Sequence, residues 1–238
     1  MTTRGPQGRF IAALAGCAVA LLAGCAAAPS RDDPLEPMNR AMYRVNEVVD
    51  GHFVKPAVQA YVDYTPRLVQ RAISNFFGNI DDVFSVINDF LQWKLDKASN
   101  DMGRVMLNTG PGLGGLIDIA SDAGIEKGNE DFGQTLGYWG FPQGPYLFIP
   151  LFGPSTIRDG SGSVLRAYLG PIGYLPNVAT RNVIYGINAV DMRASALQSE
   201  SLIDKAALDP YTFIRRSYLQ RREYLVNDGR RQPPKDDQ

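Results

Sequence analysis

The chain of 238 residues has little of what most catalytic sites are built from. It contains one histidine, His52, and two cysteines, Cys17 and Cys25. A zinc site or a histidine-based triad would have to be built around His52 alone. Neither a G-x-S-x-G elbow nor an H-E-x-x-H pair is present. A lone histidine beside Gly51, after a helix, reads as a capping or surface residue. Positive charge is not in excess either, with 24 basic against 25 acidic residues. A row of phosphates could not be neutralised by such a chain, which argues against a nucleic-acid partner. No cofactor or metal motif is complete. Gly112-Leu113-Gly114-Gly115 lacks the Lys-Ser/Thr of a phosphate loop, and Ile117 stands where a dinucleotide fingerprint needs its third glycine. It reads as tight helix packing or a hinge. Asp81-Asp82 and Asp89 could suggest paired carboxylates, but a helix cap at Asp81 explains them without catalysis.

What is present begins at the N-terminus. Arg4 and Arg9 precede an apolar run from Phe10 to Leu22, followed by Ala23-Gly24-Cys25. These are the charged region, apolar region and small-residue cleavage site of a secretory signal. The run is about 13 residues, shorter than the roughly 20 of a membrane span. A cysteine after the small pair makes Leu22–Cys25 resemble a bacterial lipobox. The resemblance implies that Cys25 is lipidated, becomes the first residue and is N-acylated. Three acyl chains at about 0.8 kcal/mol per buried CH2 hold a protein on a membrane essentially permanently. Ala26 and Ala27 follow, with no aspartate at the second position, a pattern of outer-membrane lipoproteins. Cleavage removes residues 1–24 with Cys17 and two basic residues. It leaves 214 residues of net charge about −3 and no thiol for a disulfide.

The rest divides into a lipidated tether over 25–36, a helical domain over 37–228 and a polar tail over 229–238, expected to be disordered. With 24 glycines and 16 prolines, the chain exceeds the usual share of about 12%. These residues punctuate apolar segments. Pro37 suits the first turn of a helix that Gly51 would stop. Thr65-Pro66 starts another, with Gly78 as its stop, and Asp81 caps a third carrying Val83, Phe84, Ile87, Phe90 and Leu91. Further helices are expected over Lys97–Asn108, Leu113–Ala120, from Ser155 to about Tyr168, over Asn177–Ile203, and from Asp209-Pro210 to Asn227. Residues 132–154 fit neither helical nor strand period, and a short helix followed by an irregular or hairpin-like segment ending at Gly153-Pro154 is expected. Its aromatic residues read either as core or as a membrane-facing or lipid-lining surface. Trp93, Trp139 and the tyrosines suit a headgroup boundary. Arg215, Arg216, Arg221 and Arg222 form a basic stripe, read either as a solvated face or as a contact for lipid phosphates or an acidic partner. Helices dominate; the class is all-α, in one domain.

Read in order, the motifs resemble the MlaA/VacJ family of outer-membrane lipoproteins. They are Asp33-Pro34-Leu35-Glu36-Pro37-Met38-Asn39-Arg40, Met42-Tyr43, Ser74-Asn75-Phe76-Phe77-Gly78-Asn79 and Leu107-Asn108-Thr109. Then come Gly112–Asp118, Phe132-Gly133-Gln134-Thr135-Leu136-Gly137, Gly144-Pro145-Tyr146, Arg158-Asp159, Asp209-Pro210-Tyr211 and Arg221. The resemblance implies a ring of helices lying in the plane of the outer membrane of a Gram-negative bacterium, anchored on the periplasmic side. An amphipathic channel through the ring would remove mislocalised phospholipids from the outer leaflet. They would pass to a soluble periplasmic carrier, MlaC-like, with trimeric porins as partners. The segment 132–154 is then a candidate gate or wall of the channel, with Phe148→Asp as its test. Cys25 is the one functional residue that the motifs carry over. No enzyme activity and no cofactor are implied. The alternative is a porin-associated structural lipoprotein without lipid transfer of its own.

Overall fold

The computed structural model describes residues 33–206 and 208–230, with side chains described for 33–197 and 208–230. The signal, Cys25 and residues 231–238 lie outside the described residues. Helices α1 (Glu36–Val49) and α2 (Lys55–Tyr64) are joined by a π-helical turn over Asp50–Val54. Then follow α3 (Arg67–Leu91), α4 (Leu95–Thr109), α5 (Ile119–Asp122) and α6 (Phe132–Tyr138). A hairpin of β1 (Tyr146–Ile149) and β2 (Gly153–Thr156) leads into α7 (Ile157–Leu169). A 3-10 turn (Pro171–Tyr174), α8 (Val178–Ala206) and α9 (Pro210–Val226) complete the chain. The domain is all-α apart from that one antiparallel hairpin, in which Tyr146 pairs with Thr156 and Ile149 with Gly153.

Two expected boundaries are absent. Gly51 does not stop α1, because the backbone widens into the π turn and runs on into α2. Widening leaves Asp50 buried and aimed at α8, where Arg193 pairs with it at 2.7 Å. Nor do Gly78 and Asp81 break the second helix, for Arg67–Leu91 is one helix of 25 residues. Its glycine is kept for space: a Cβ at Gly78 would lie 2.8 Å from the Lys127 ammonium. The short apolar helix expected over Leu113–Ala120 is instead a turn, with a helix only from Ile119. The expected hairpin is present, shifted so that Thr156 rather than Ser155 caps α7, its hydroxyl accepting from Asp159 N–H. Asp118, Asp131 and Asp209 cap α5, α6 and α9 in the same way.

Packing closes the chain into a circuit. α1 packs on β1, β2 on α9, α9 on α6, α6 on α3, α3 on α8 and α8 on α2, which returns through the π turn to α1. α4 lies along α3 as the most extensive of these contacts, and α7 lies across α6. Backbone meets backbone at the α6–α7 crossing: a Cβ at Gly162 would stand 2.5 Å from the Gly133 nitrogen.

Candidate functional site

Burial in this molecule is inverted. Among the described residues nine buried side chains are hydrophobic and twenty-one are polar or charged. Large hydrophobic residues are meanwhile widely exposed, Phe53, Leu68, Val83, Phe90, Val164 and Tyr168 among them. Helix α3 shows how the sequence builds this. Val69, Phe76, Val83 and Phe90 recur every seven residues, with Ile87 beside them, and form an outward stripe. The opposite face carries Asn79, Asp82, Ser85, Asn88 and Asp89, all buried. An amphipathic helix in water turns its apolar stripe to the core; α3 turns it out. Exposed apolar surface on this scale marks contact with a membrane or a partner. No described helix is long and apolar enough to cross a membrane.

Each buried charge needs a partner, and three nodes supply them for Asp33, Asp82, Arg104, Asp159, Arg215 and Arg222. In the first, Arg104 of α4 is only 1% exposed. Its Nε donates to Asp82 at 3.1 Å, its Nη1 to the Ile125 carbonyl at 2.6 Å and its Nη2 to Asp118 at 3.1 Å. Asn108 donates to Asp118 at 2.9 Å and accepts from Ala120 N–H at 3.0 Å. Burial opposes ionisation of Asp118, but hydrogen bonds from Ser121 and Asn108 and the Arg104 charge prevail, holding its carboxyl down to about 2.

In the second node Asp33, fully buried, accepts from Tyr211 of α9 and pairs with Arg215 at 3.0 Å. Asn39 of α1 covers the open edge of β1. Its Nδ2 donates to Tyr146 O at 2.9 Å, and its Oδ1 accepts from Phe148 N–H at 2.9 Å. An amide side chain thus stands in for a third strand. The folded body therefore reaches back to Asp33, inside the segment read as tether. In the third node Arg222 pairs with Asp131 at 2.5 Å and with Asp159 at 2.9 Å, and Tyr218 donates to Asp159 at 2.8 Å. Desolvation works against the Arg222 charge, but these two carboxylates hold it more firmly protonated than usual.

The α3–α4 contact also contains a group without a counter-charge bond. Neither oxygen of Asp89 meets a hydrogen-bond donor, and its carboxyl faces that of Asp101. Burial, then the charges of Asp101 and Glu130, push the Asp89 carboxyl up to about 7 against the opposing Lys97. A cavity of about 640 Å³ adjoins this place, lined in part by Lys97, Asp101, Lys127, Glu130 and Gln134. A smaller one, about 290 Å³, lies against Asp131, Tyr218 and Arg222.

The structure distributes the residues singled out in the sequence. His52 is exposed, its ring bonded to the Val48 carbonyl. Asp81 is exposed and pairs with Arg166, whereas Asp82 and Asp89 are buried. Gly112–Gly115 offers no anion cradle, because the Gly112, Gly114 and Gly115 N–H groups bond the last carbonyls of α4. Gly114 and Gly115 adopt φ of +72° and +92°, and Gly115 packs against Asn79. The arginine stripe of α9 splits: Arg215 and Arg222, seven apart, face inward, while Arg216 and Arg221 are exposed. Phe148 is no gate on the surface; it is core, packed edge-on to Tyr43 at 5.2 Å. The exposed parts of that segment are Tyr138, Trp139 and Phe141 at the end of α6 and the hairpin tip, Leu151 and Phe152. Trp139 donates to Leu91 O at 3.0 Å and Trp93 is two residues on, so both tryptophans mark one end of α3. Among the described residues no group of His, Cys, Asp or Glu could hold a metal ion. Arg104 was not legible as a site residue, since a lone buried polar residue carries no spacing signal; Asn39 and Arg222 stood out only as members of a motif and a stripe, without their partners.

Known proteins share this architecture. The model of the MlaA lipoprotein family matches residues 31–225. The chain is 34% identical over 226 residues to the intermembrane phospholipid transport system lipoprotein MlaA of Escherichia coli K12, covering 92% of this chain and 87% of that protein. The protein of the same description from Haemophilus influenzae is 34% identical over 223 residues, covering 92% and 88%. An uncharacterized protein of Rickettsia prowazekii is 31% identical over 195 residues, covering 82% and 78%. A solved structure, from work on the structural basis for maintenance of bacterial outer membrane lipid asymmetry, superposes with a TM-score of 0.72 at 33% identity. It covers 83% of this chain and 100% of that one. With its circuit of amphipathic helices and polar interior, this chain belongs to the MlaA lipoprotein family.

Proposed function

We propose that this protein is an outer-membrane lipoprotein, held by acyl chains on Cys25. It takes mislocalised phospholipids from the outer leaflet through a polar-lined passage and hands them to a soluble periplasmic carrier. The outer membrane thereby keeps its lipid asymmetry. The observation that supports this reading best is the inverted burial: polar and charged side chains within the helical circuit, apolar stripes outside. A phospholipid changes leaflet only if its headgroup is shielded from hydrocarbon, where charge is costly. Helices satisfy their own backbone hydrogen bonds in lipid, so a helical circuit can sit at membrane depth. The two tryptophans at one end of α3 fit a headgroup boundary. No covalent step is needed, and the reading is non-enzymatic. Trimeric porins are the proposed neighbours of the apolar shell.

The test is outer-leaflet phospholipid content in intact cells lacking the gene, beside cells complemented with wild type and with Cys25→Ala. A rise on deletion that wild type reverses is expected, with Cys25→Ala failing to reverse it. An unchanged outer leaflet would sink the transport reading and favour a porin-associated structural lipoprotein.

A further inference from the structure

The buried acids at the α3–α4 contact differ from every other buried charge described above. Asp89 of α3 is 0% and Asp101 of α4 is 1% exposed. Both Asp89 oxygens and Oδ2 of Asp101 lack a donor. Only Oδ1 of Asp101 is bound, by Gly128 N–H at 3.1 Å and weakly by Asn100 at 3.4 Å. Two carboxylates facing each other in such surroundings repel; a carboxyl and a carboxylate attract through one hydrogen bond. We propose that Asp89 and Asp101 share a single proton, and that this proton locks α3 to α4, so that its loss loosens the helix pair.

The surroundings neither neutralise the pair nor exclude protons from it. On α3 the nearest acid is Asp82, already paired with Arg104 at 3.1 Å and Lys127 at 3.4 Å. On α4, Lys97 faces Asp89 but is bonded to Glu130 at 3.0 Å and Asp228 at 2.6 Å. Lys94 is likewise held by Glu130 and Asp228. The 124–130 loop contributes Glu130, which adds to the repulsion, and Lys127. α6 contributes the neutral Gln134, whose Oε1 is also without a donor, and Thr135. Every cation nearby is thus committed to another acid. Asp101 lines the adjoining cavity, which gives protons a route to the pair.

The sign follows from linkage. The Asp89 carboxyl releases its proton near 7 in the folded protein and at an ordinary 3.8 in the unfolded chain. Folding therefore retains a proton between these values, and stability falls as pH rises through this range. The lock is complete on the acid side and lost above neutrality.

The test uses the whole mature protein in detergent micelles. Infrared spectra follow the carboxylic-acid carbonyl stretch from about pH 5 to about pH 9. Wild type is expected to show a band that fades through neutrality and is missing from Asp89→Asn. Wild type without such a band overturns the proposal. Amide hydrogen exchange in α3 and α4, corrected for intrinsic rates, is expected to rise at least tenfold across that interval in wild type. It should stay flat in Asp89→Asn, whose amide donates to Asp101 at every pH. The same rise in both proteins, or no rise in wild type, also overturns it. Should Asp89→Asn fail to fold, the wild-type band and its exchange profile decide.

Discussion

Asp82 and Asp89 stand seven residues apart on one face of α3, about 10 Å along the axis, and each is almost wholly buried. Asp82 has an ion pair on each oxygen, from Arg104 and Lys127. Asp89 has none and meets another acid. Residue type, helix, face and burial are the same; only the facing partner differs. Burial alone therefore does not tell what a carboxylate does here. The partner decides whether it is a fixed anion of a structural node or a group that holds a proton near neutrality.

Breaking the first half of this comparison carries the largest effect. Arg104→Ala leaves Asp82 buried with Lys127 alone and also strips Asp118 of its guanidinium. A loss of about 3–5 kcal/mol is expected in chemical denaturation. A loss under about 1 kcal/mol would show that the node is dispensable. Val83, next to Asp82 in sequence, points the other way and is 41% exposed. Val83→Lys should weaken binding to vesicles by roughly 2.5–3.5 kcal/mol if that face meets hydrocarbon. Stability in detergent should change by no more than about 0.5 kcal/mol. Unchanged flotation with vesicles would remove the outer face of α3 from the membrane contact.

Asp89→Asn sharpens the contrast. Above pH 7 it should raise stability by roughly 1–3 kcal/mol over wild type, and the two should converge only below about pH 4, where the unfolded chain also holds the proton. Stabilisation at acid pH instead would mean that the amide improves packing rather than replacing a proton. Asp81 supplies the control, since it sits on the same helix but pairs with Arg166 in the open, where both side chains are over 40% exposed. Asp81→Ala should cost at most about 1 kcal/mol, less at high salt.

Much of the helical content was legible because it rests on local chemistry. Asp209-Pro210 begins α9 and Pro37 lies in the first turn of α1, as their side chains dictate. The hairpin after Gly144-Pro145 followed from a segment with no helical period. Legibility failed where space or a distant partner overrode a local signal. Gly78 reads as a stop, yet it gives room to Lys127. Gly51 reads as a stop, yet the chain continues because the π turn delivers Asp50 to Arg193. Four arginines on α9 read as one stripe, while two of them serve buried acids on other elements.

By itself, then, the sequence determined the helical class, most start points and the family, through ordered motifs. Those properties depend on neighbours within a few residues or on order along the chain. The tertiary structure alone decided which side of each amphipathic helix faces in. The same stripe of Val69, Phe76, Val83 and Phe90 could line a core in water or a shell in lipid. The choice followed from how the polar faces meet, Arg104 with Asp82 and Asp118, Arg222 with Asp131 and Asp159, Arg215 with Asp33. Such pairs join residues 14 to 182 positions apart, and no local pattern records a partner at that separation.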